Sequence, residues 1–344
     1  MRTLDYEGRK IGDGHRSYII SEIGVNFGTF EDGKRLIDES VAAGADCVKI
    51  QTFKADSITT KDAIFDLPKV GKVSQYKVFK ELELSDSLQR RLFKYARKKK
   101  VVFFSTPTDK RDVDFLEDVD MPIYKIGSDD ATNLPFLEYV AKLGKPTIVS
   151  TGMCNMAEVM EIQDVFSSNN NDKLSILHCV TKYPMDPEFA NLRAVDTMKK
   201  RLKIPVGYSD HSIGVDVCMA AVAAGANIIE KHVTMDKRQK GPDHVLSATP
   251  KELRRLVDFS HVAFASMGSG TKRPAACEEF TRKESRKSVT ALRDIRGGEK
   301  ITRNMVKIMR PGYGIRPKDV KKVIGMRARR DLKKYQTLRW KDLG

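Results

Sequence analysis

Two histidines, two lysines and a set of carboxylates and hydroxyls share one placement in this sequence: each closes a short β-branched or apolar run. The runs are Tyr18–Ile23, Asp46–Gln51, Val101–Thr106, Ile123–Ser128, Pro146–Thr151, Ser175–Val180, Pro205–His211 and Asn227–Val233. Their ends offer Glu22; Lys49 and Gln51; Ser105 and Thr106; Lys125 and Ser128; Ser150 and Thr151; His178; Ser209, Asp210 and His211; and Glu230, Lys231 and His232. Residues two apart on a strand face the same side. Lys49 therefore points with Gln51, Ser209 with His211, and Glu230 with His232, while Lys231 points outward. His211 and His232 end the last two runs and could share a cation. Two imidazoles completed by water or substrate oxygens suit Mn²⁺, Co²⁺ or Mg²⁺ better than a structural zinc, which wants four protein ligands. The plainer alternative is that each ring hydrogen-bonds a loop carbonyl. A buried lysine is costly unless an anion meets it. Lys49 and Lys125, among Thr106, Ser128, Ser150 and Ser209, suit a phosphate or carboxylate ligand. Either lysine could instead form a Schiff base with a carbonyl substrate, or simply pair with Glu22 or Glu230.

Eight such runs in about 240 residues, with helical patterns between them, predict an α/β fold of the (β/α)₈ barrel type, whose active sites lie at the carboxyl ends of the strands. Leu36, Ile37 and Val41 share one helix face, and Leu88, Leu92, Phe93 and Ala96 another. An open doubly wound sheet fits less well, because no G-x-G-x-x-G follows the first run. Thr249-Pro-Lys-Glu252 reads as a capping box opening the last barrel helix, with Leu253, Leu256, Val257, Ser260 and Phe264 on one face. The expected domains are a barrel over 1–270, a linker over 271–285 and a compact all-β-like domain over 286–344. That last segment repeats itself weakly, Asp294–Ile301 against Asp331–Leu338, each followed by a short helical cue at Thr302–Met305 and Arg339–Asp342.

Charge and cysteine content narrow the function classes. The net charge is +16, but residues 286–344 hold 19 basic and 5 acidic side chains, leaving about +2 for the rest. A nucleic-acid-binding tail would be expected to interleave aromatics, and this one has only Tyr313, Tyr335 and Trp340. A solvated small domain is the simpler reading. The five cysteines are widely spaced with no C-x-x-C, which speaks against a disulfide framework or zinc knuckle. No apolar run approaches the ~20 residues of a membrane helix, and the polar N-terminus has no signal-like core, so a cytoplasmic location is expected.

The polar strand ends lie in stretches that resemble the sialic acid synthase family, which includes N-acetylneuraminate, legionaminate and pseudaminate synthases. The stretches are Ser21-Glu-Ile-Gly-Val-Asn26, Val48-Lys-Ile-Gln-Thr-Phe53, Phe104-Ser-Thr-Pro107, Tyr124-Lys-Ile-Gly-Ser128, Ser150-Thr-Gly-Met153, Leu177-His-Cys179, Gly207-Tyr-Ser-Asp-His211, Ile229-Glu-Lys-His232 and Gly241-Pro-Asp-His244. The tail, with Arg310-Pro-Gly-Tyr-Gly314, resembles that family's antifreeze-like (SAF) domain.

The resemblance implies condensation of phosphoenolpyruvate with an N-acetylated hexose, N-acetylmannosamine first and a 2,4-diacetamido hexose as the alternative. It implies a divalent metal, Mn²⁺ before Mg²⁺ or Co²⁺, on His211 and His232. Phosphoenolpyruvate would meet Lys49, Ser74, Thr106, Lys125, Ser128, Ser150, Thr181 and Ser209, and the sugar Gln51, Tyr183, Asp243 and Arg310. Glu22 and Asp130 would compete to activate water, with Glu22 or Glu230 easing positive charge at C2. A domain-swapped homodimer, with Arg310 acting on the other protomer's barrel, is also implied. Phe27, Thr108, Asp129, Val180 and Lys182 depart from the family's usual residues near the expected rim, which bears on the choice of sugar more than on the reaction.

Overall fold

The computed structural model describes residues 2–67 and 71–344 and divides into two compact units, Met1–Gly268 and Ser269–Gly344. In the first, β1 (Leu4–Tyr6) and β2 (Arg9–Ile11) form a small hairpin ahead of the first barrel strand, β3 (Tyr18–Gly24). Then follow β4 (Cys47–Thr52), a second hairpin of β5 (Ile64–Leu67) and β6 (Gly71–Ser74), and β7 (Val102–Pro107), β8 (Tyr124–Ile126), β9 (Thr147–Ser150), β10 (Leu174–Cys179), β11 (Val206–Asp210) and β12 (Ile228–His232). Strands β3, β4 and β7 to β12 close into a parallel barrel. All eight runs expected as strands supply one, and the fold is the expected (β/α)₈ barrel.

Alternation explains the layering. The outward Ile50, Phe103 and Ile229 are buried in the shell between strands and helices. Most of the expected helix faces are buried too, although Val41 and Phe264 are exposed, at the edge of their stripes. Tyr6 and Ile11 of the first hairpin are fully buried, and the Tyr6 hydroxyl donates to Ser175 Oγ at 2.8 Å. Neither hairpin is visible in the sequence pattern, because three- and four-residue strands carry too little periodicity.

The last barrel helix, Pro250–Met267, starts as its sequence predicts. Thr249 Oγ accepts from the Glu252 backbone N–H, and Glu252 accepts from the Thr249 N–H at 2.8 Å. Thr249→Ala is expected to cost about 1 kcal/mol, a few degrees in a thermal unfolding scan; an unchanged midpoint would contradict that role.

In the second unit, β13 (Ser288–Ala291) pairs antiparallel with β14 (Val306–Met309) around a small apolar core that includes Val289, Ile295, Ile301, Leu332 and Leu338. The sequence repeat is a structural pairing. Ile295 and Leu332 exchange backbone hydrogen bonds at 2.9 and 2.8 Å. Asp331 Oδ1 accepts from Gly297 N, and Asp294 Oδ1 accepts from Lys334 N, both at 2.7 Å. Each copy thus caps the other's turn. The helical cues are the 3₁₀ turns Arg303–Met305 and Trp340–Asp342.

The segment expected to be a linker requires correction. It holds a 3₁₀ turn at Ala276–Glu278 and a helix at Glu279–Ser285 within the second unit. Gly312 N donates to Lys283 O at 2.7 Å, and the Tyr313 hydroxyl bonds Glu284. None of that helix's residues is buried, so it leaves no apolar period to read. No helix among the described residues is long and apolar enough to cross a membrane.

Candidate active site

Strand register gathers the polar ends. Ser209 pairs with Glu230, His232 with Glu22, Glu22 with Lys49, and Gln51 with Thr106 around β11, β12, β3, β4 and β7. The β3–β4 register shifts between Glu22 and Gly24. Gly24 has φ +49°, and a Cβ there would lie 3.1 Å from Glu22 Oε1, so a side chain would press on that carboxylate.

Four formal charges lie within this interior. Lys49 Nζ is 2.8 Å from Glu22 Oε2 and donates to Thr106 Oγ1 at 2.8 Å. Lys125 Nζ donates to Ser150 Oγ at 2.6 Å and stands 3.8 Å from Glu230 Oε2. Gln51 Nε2 donates to Glu22 Oε1 at 2.8 Å, and Ser209 Oγ to Glu230 Oε1 at 3.2 Å. All four charged residues are at most 5% exposed. The ion pairs open to these lysines are thus formed in this structure. Pairing buried charges stabilises a fold little against well-packed apolar residues, and barrel interiors are ordinarily filled by apolar layers. Such a cluster at the carboxyl ends of strands therefore points to function.

Burial holds the Glu22 carboxyl above its ordinary range despite the Lys49 charge. Burial would also raise Glu230, but Lys125 and Lys49 outweigh it and hold that group low. Desolvation depresses Lys125, whereas at Lys49 the Glu22 and Glu230 charges overcome it and raise the ammonium.

The two histidines stand side by side, ring centroids 5.6 Å apart, and Tyr183 stacks on His211 at 3.9 Å. The His211 ring bonds through Nδ1 to the Val180 carbonyl at 2.8 Å, which fixes Nδ1 as donor and leaves Nε2 with a lone pair. His232 Nδ1 is buried with no hydrogen-bond partner among the described residues, 3.5 Å from Asp243 Oδ2. Burial depresses both imidazoles, keeping them neutral. Two neutral rings at one mouth, one with an orphaned nitrogen, fit a divalent cation whose remaining ligands come from water or substrate. Among the described residues no group of three or more His, Cys, Asp or Glu is arranged to hold a metal by itself. Burial, with Glu22 adding to it, pushes the Asp243 carboxyl up to about 7.

Ser128 Oγ accepts from Gly152 N at 2.9 Å, and a Cβ on Gly152 would collide with Thr181 Oγ1. Ser128, Thr181 and the Gly152 N–H thus form a second hydroxyl-rich corner. The Gly152 amide carries no side-chain signal and is found only in the folded chain. Other expected site residues are placed elsewhere. Ser74 caps the helix after β6, accepting from Lys77 N. Asp130 bonds Asn133 and lies near Asp109, Asp112 and Asp129, and burial raises it to about 6. Neither has a hydrogen bond or ion pair to the lysine cluster among the described residues. Arg310 belongs to the second unit, exposed on the loop after β14.

A profile of the NeuB family matches residues 36–272, and one of the SAF domain matches residues 286–344. The chain belongs to the NeuB family. Among its relatives, an N,N'-diacetyllegionaminic acid synthase of Legionella pneumophila is 37% identical over 341 residues, 96% of each chain. An N-acetylneuraminate-9-phosphate synthase of Homo sapiens is 35% identical over 92% of this chain and 90% of its own. The crystal structure of an N-acetylneuraminic acid synthetase from Leptospira borgpetersenii, in complex with citrate, superposes with a TM-score of 0.75 at 33% identity, covering 81% of this chain and 95% of that one. These three relatives are nonulosonic acid synthases, and this chain's membership makes it an enzyme of that family.

Proposed function

We propose that this NeuB-family chain condenses phosphoenolpyruvate with an N-acetylated hexose to give a nine-carbon 2-keto acid and phosphate. The observation that carries the reading is the buried quartet Glu22, Lys49, Lys125 and Glu230 beside two neutral imidazoles at one barrel mouth. Lys49 and Lys125, with Thr106, Ser128, Ser150, Thr181 and Ser209, take the anionic ends of phosphoenolpyruvate. His211 and His232 would hold a divalent cation, which when bound would supply Lewis-acid polarisation of the open-chain sugar aldehyde. Gln51, Tyr183 and Asp243 orient the sugar.

The π pair of the phosphoenolpyruvate C2–C3 double bond forms the new C–C bond from C3 as the aldehyde C=O π bond opens, its oxygen taking a proton from solvent water. Water then adds to the oxocarbenium-like C2, its proton passing to a carboxylate. The C2 hydroxyl then gives up its proton and becomes the ketone as the C2–O bond to phosphate breaks, and phosphate departs with that electron pair. Glu22 serves as the proton acceptor better than Asp130, because it stands within the cluster and burial raises its affinity for a proton. Glu230, held ionised by the lysines, eases the charge developing at C2.

The active species in this reading is a homodimer in which Arg310 of one protomer acts on sugar bound in the barrel of the other. Met153, Tyr183, Phe189, Ile213 and Val245, in the connections after β9 to β12, are exposed apolar side chains at the carboxyl end of the barrel that such an assembly would cover. Arg310→Ala is expected to raise the sugar KM about tenfold, the worth of a charged hydrogen bond, and to leave that for phosphoenolpyruvate within twofold. An unchanged sugar KM would remove Arg310 from the site.

N-acetylmannosamine is the simplest sugar for this chemistry. The 37% identity to N,N'-diacetyllegionaminic acid synthases supports a 2,4-diacetamido hexose as the second reading. Comparing kcat/KM for N-acetylmannosamine, its 6-phosphate and 2,4-diacetamido-2,4,6-trideoxymannose decides between them. Turnover of none of the three would overturn the proposal.

A further inference from the structure

One buried ion pair near the mouth takes no part in the chemistry above. Asp210 and Lys231 are register partners on β11 and β12, and both are 0% exposed. By strand alternation they point outward, into the layer between barrel and helices, where the next register partner, on β3, is the buried Ser21. Lys231 Nζ lies 2.6 Å from Asp210 Oδ2 and also donates to the Ser212 carbonyl. Ser212 Oγ donates to the same Asp210 oxygen at 2.9 Å. The other oxygen, Oδ1, is buried without a hydrogen-bond partner among the described residues.

Stability alone does not account for this arrangement. Two fully desolvated charges and an orphaned carboxylate oxygen are costly, and apolar residues of similar volume would pack the layer as well or better. What the pair does supply is directional restraint. Asp210 and Ser212 flank His211 in sequence, and Lys231 precedes His232. The ammonium therefore ties together the backbone on both sides of one histidine and the residue before the other. The inward faces of the same strand ends carry the two rings, with centroids 5.6 Å apart.

We propose that the Asp210–Lys231 pair, with Ser212, is a positioning device that sets the spacing and aim of His211 and His232 and thereby the affinity for the divalent cation. Neither residue contacts the cation. The proposal rests on the reading that the two histidines hold one.

The test measures Mn²⁺ binding to the full-length chain without substrates, from the six-line EPR signal of free Mn²⁺, with apo thermal unfolding alongside. Wild type is expected to bind one Mn²⁺, and His211→Ala to bind none. Asp210→Asn and Lys231→Met are expected to weaken binding roughly ten- to hundredfold, the usual effect of losing a group behind a metal ligand. The double variant Asp210→Leu/Lys231→Met leaves no unpaired charge. It is expected to keep the wild-type unfolding midpoint within a few degrees and still bind Mn²⁺ at least tenfold more weakly. Wild-type Mn²⁺ affinity in the folded double variant would overturn the positioning role while leaving the two-histidine site intact. Wild type that binds no Mn²⁺ would remove the site itself, and the proposal with it.

Discussion

His211→Ala is expected to lower kcat about a thousandfold, to a residual rate that added metal does not restore. Losing the polarising cation removes several kcal/mol of transition-state stabilisation, and roughly 4 kcal/mol corresponds to a factor near a thousand. The fold should survive. The substitution removes the ring's bond to the Val180 carbonyl and its stack with Tyr183, and one hydrogen bond is worth about 1 kcal/mol. Steady-state rates across a Mn²⁺ titration, with circular dichroism of the variant, separate the two effects. Activity within tenfold of wild type would assign the imidazole to loop support.

Lys49→Met has the largest expected effect on stability. It leaves the Glu22 carboxylate in the barrel with the Gln51 amide, at 2.8 Å, as its hydrogen-bond donor and no cation in contact. Breaking a buried pair by removing one partner costs about 3–5 kcal/mol. Turnover should also disappear, because the same ammonium is proposed to meet phosphoenolpyruvate. The pH dependence has a definite sign. Burial already raises Glu22 in the native state, and loss of Lys49 raises it further. The penalty is therefore full above the folded pKa and shrinks as pH falls toward the unfolded value. Lys49→Met should be relatively less destabilised at pH 5 than at pH 8. The double variant Lys49→Met/Glu22→Gln should regain most of the stability and none of the activity. Urea melts of the four species form the cycle; additive losses would show that the 2.8 Å contact contributes nothing.

The barrel is legible in the sequence because its strands obey one rule: apolar, alternating and polar at the carboxyl end. The rule places Lys49, Lys125, His211 and His232 correctly at one mouth, yet it cannot say which partners they meet. The Glu22–Lys49 contact depends on β3–β4 register with an irregularity at Gly24, and register is a property of the closed sheet. Alternation also turns Lys231 outward, as the structure has it, but its complete burial against Asp210 follows from the helical layer covering it. Ser74 and Asp130 rest on resemblance alone, and each has a local structural partner instead, Lys77 N and Asn133. The exposed helix Glu279–Ser285 shows the opposite limit, since an element that buries nothing writes no pattern.

The most direct test of the central claim is phosphate release from phosphoenolpyruvate, with and without N-acetylmannosamine or a 2,4-diacetamido hexose, in Mn²⁺ and again in EDTA, with mass analysis of the product. The account predicts release that needs both sugar and metal, and a 2-keto acid three carbons longer than the sugar. Release that ignores the sugar or persists in EDTA, or no release with either sugar or with N-acetylmannosamine 6-phosphate, would contradict it.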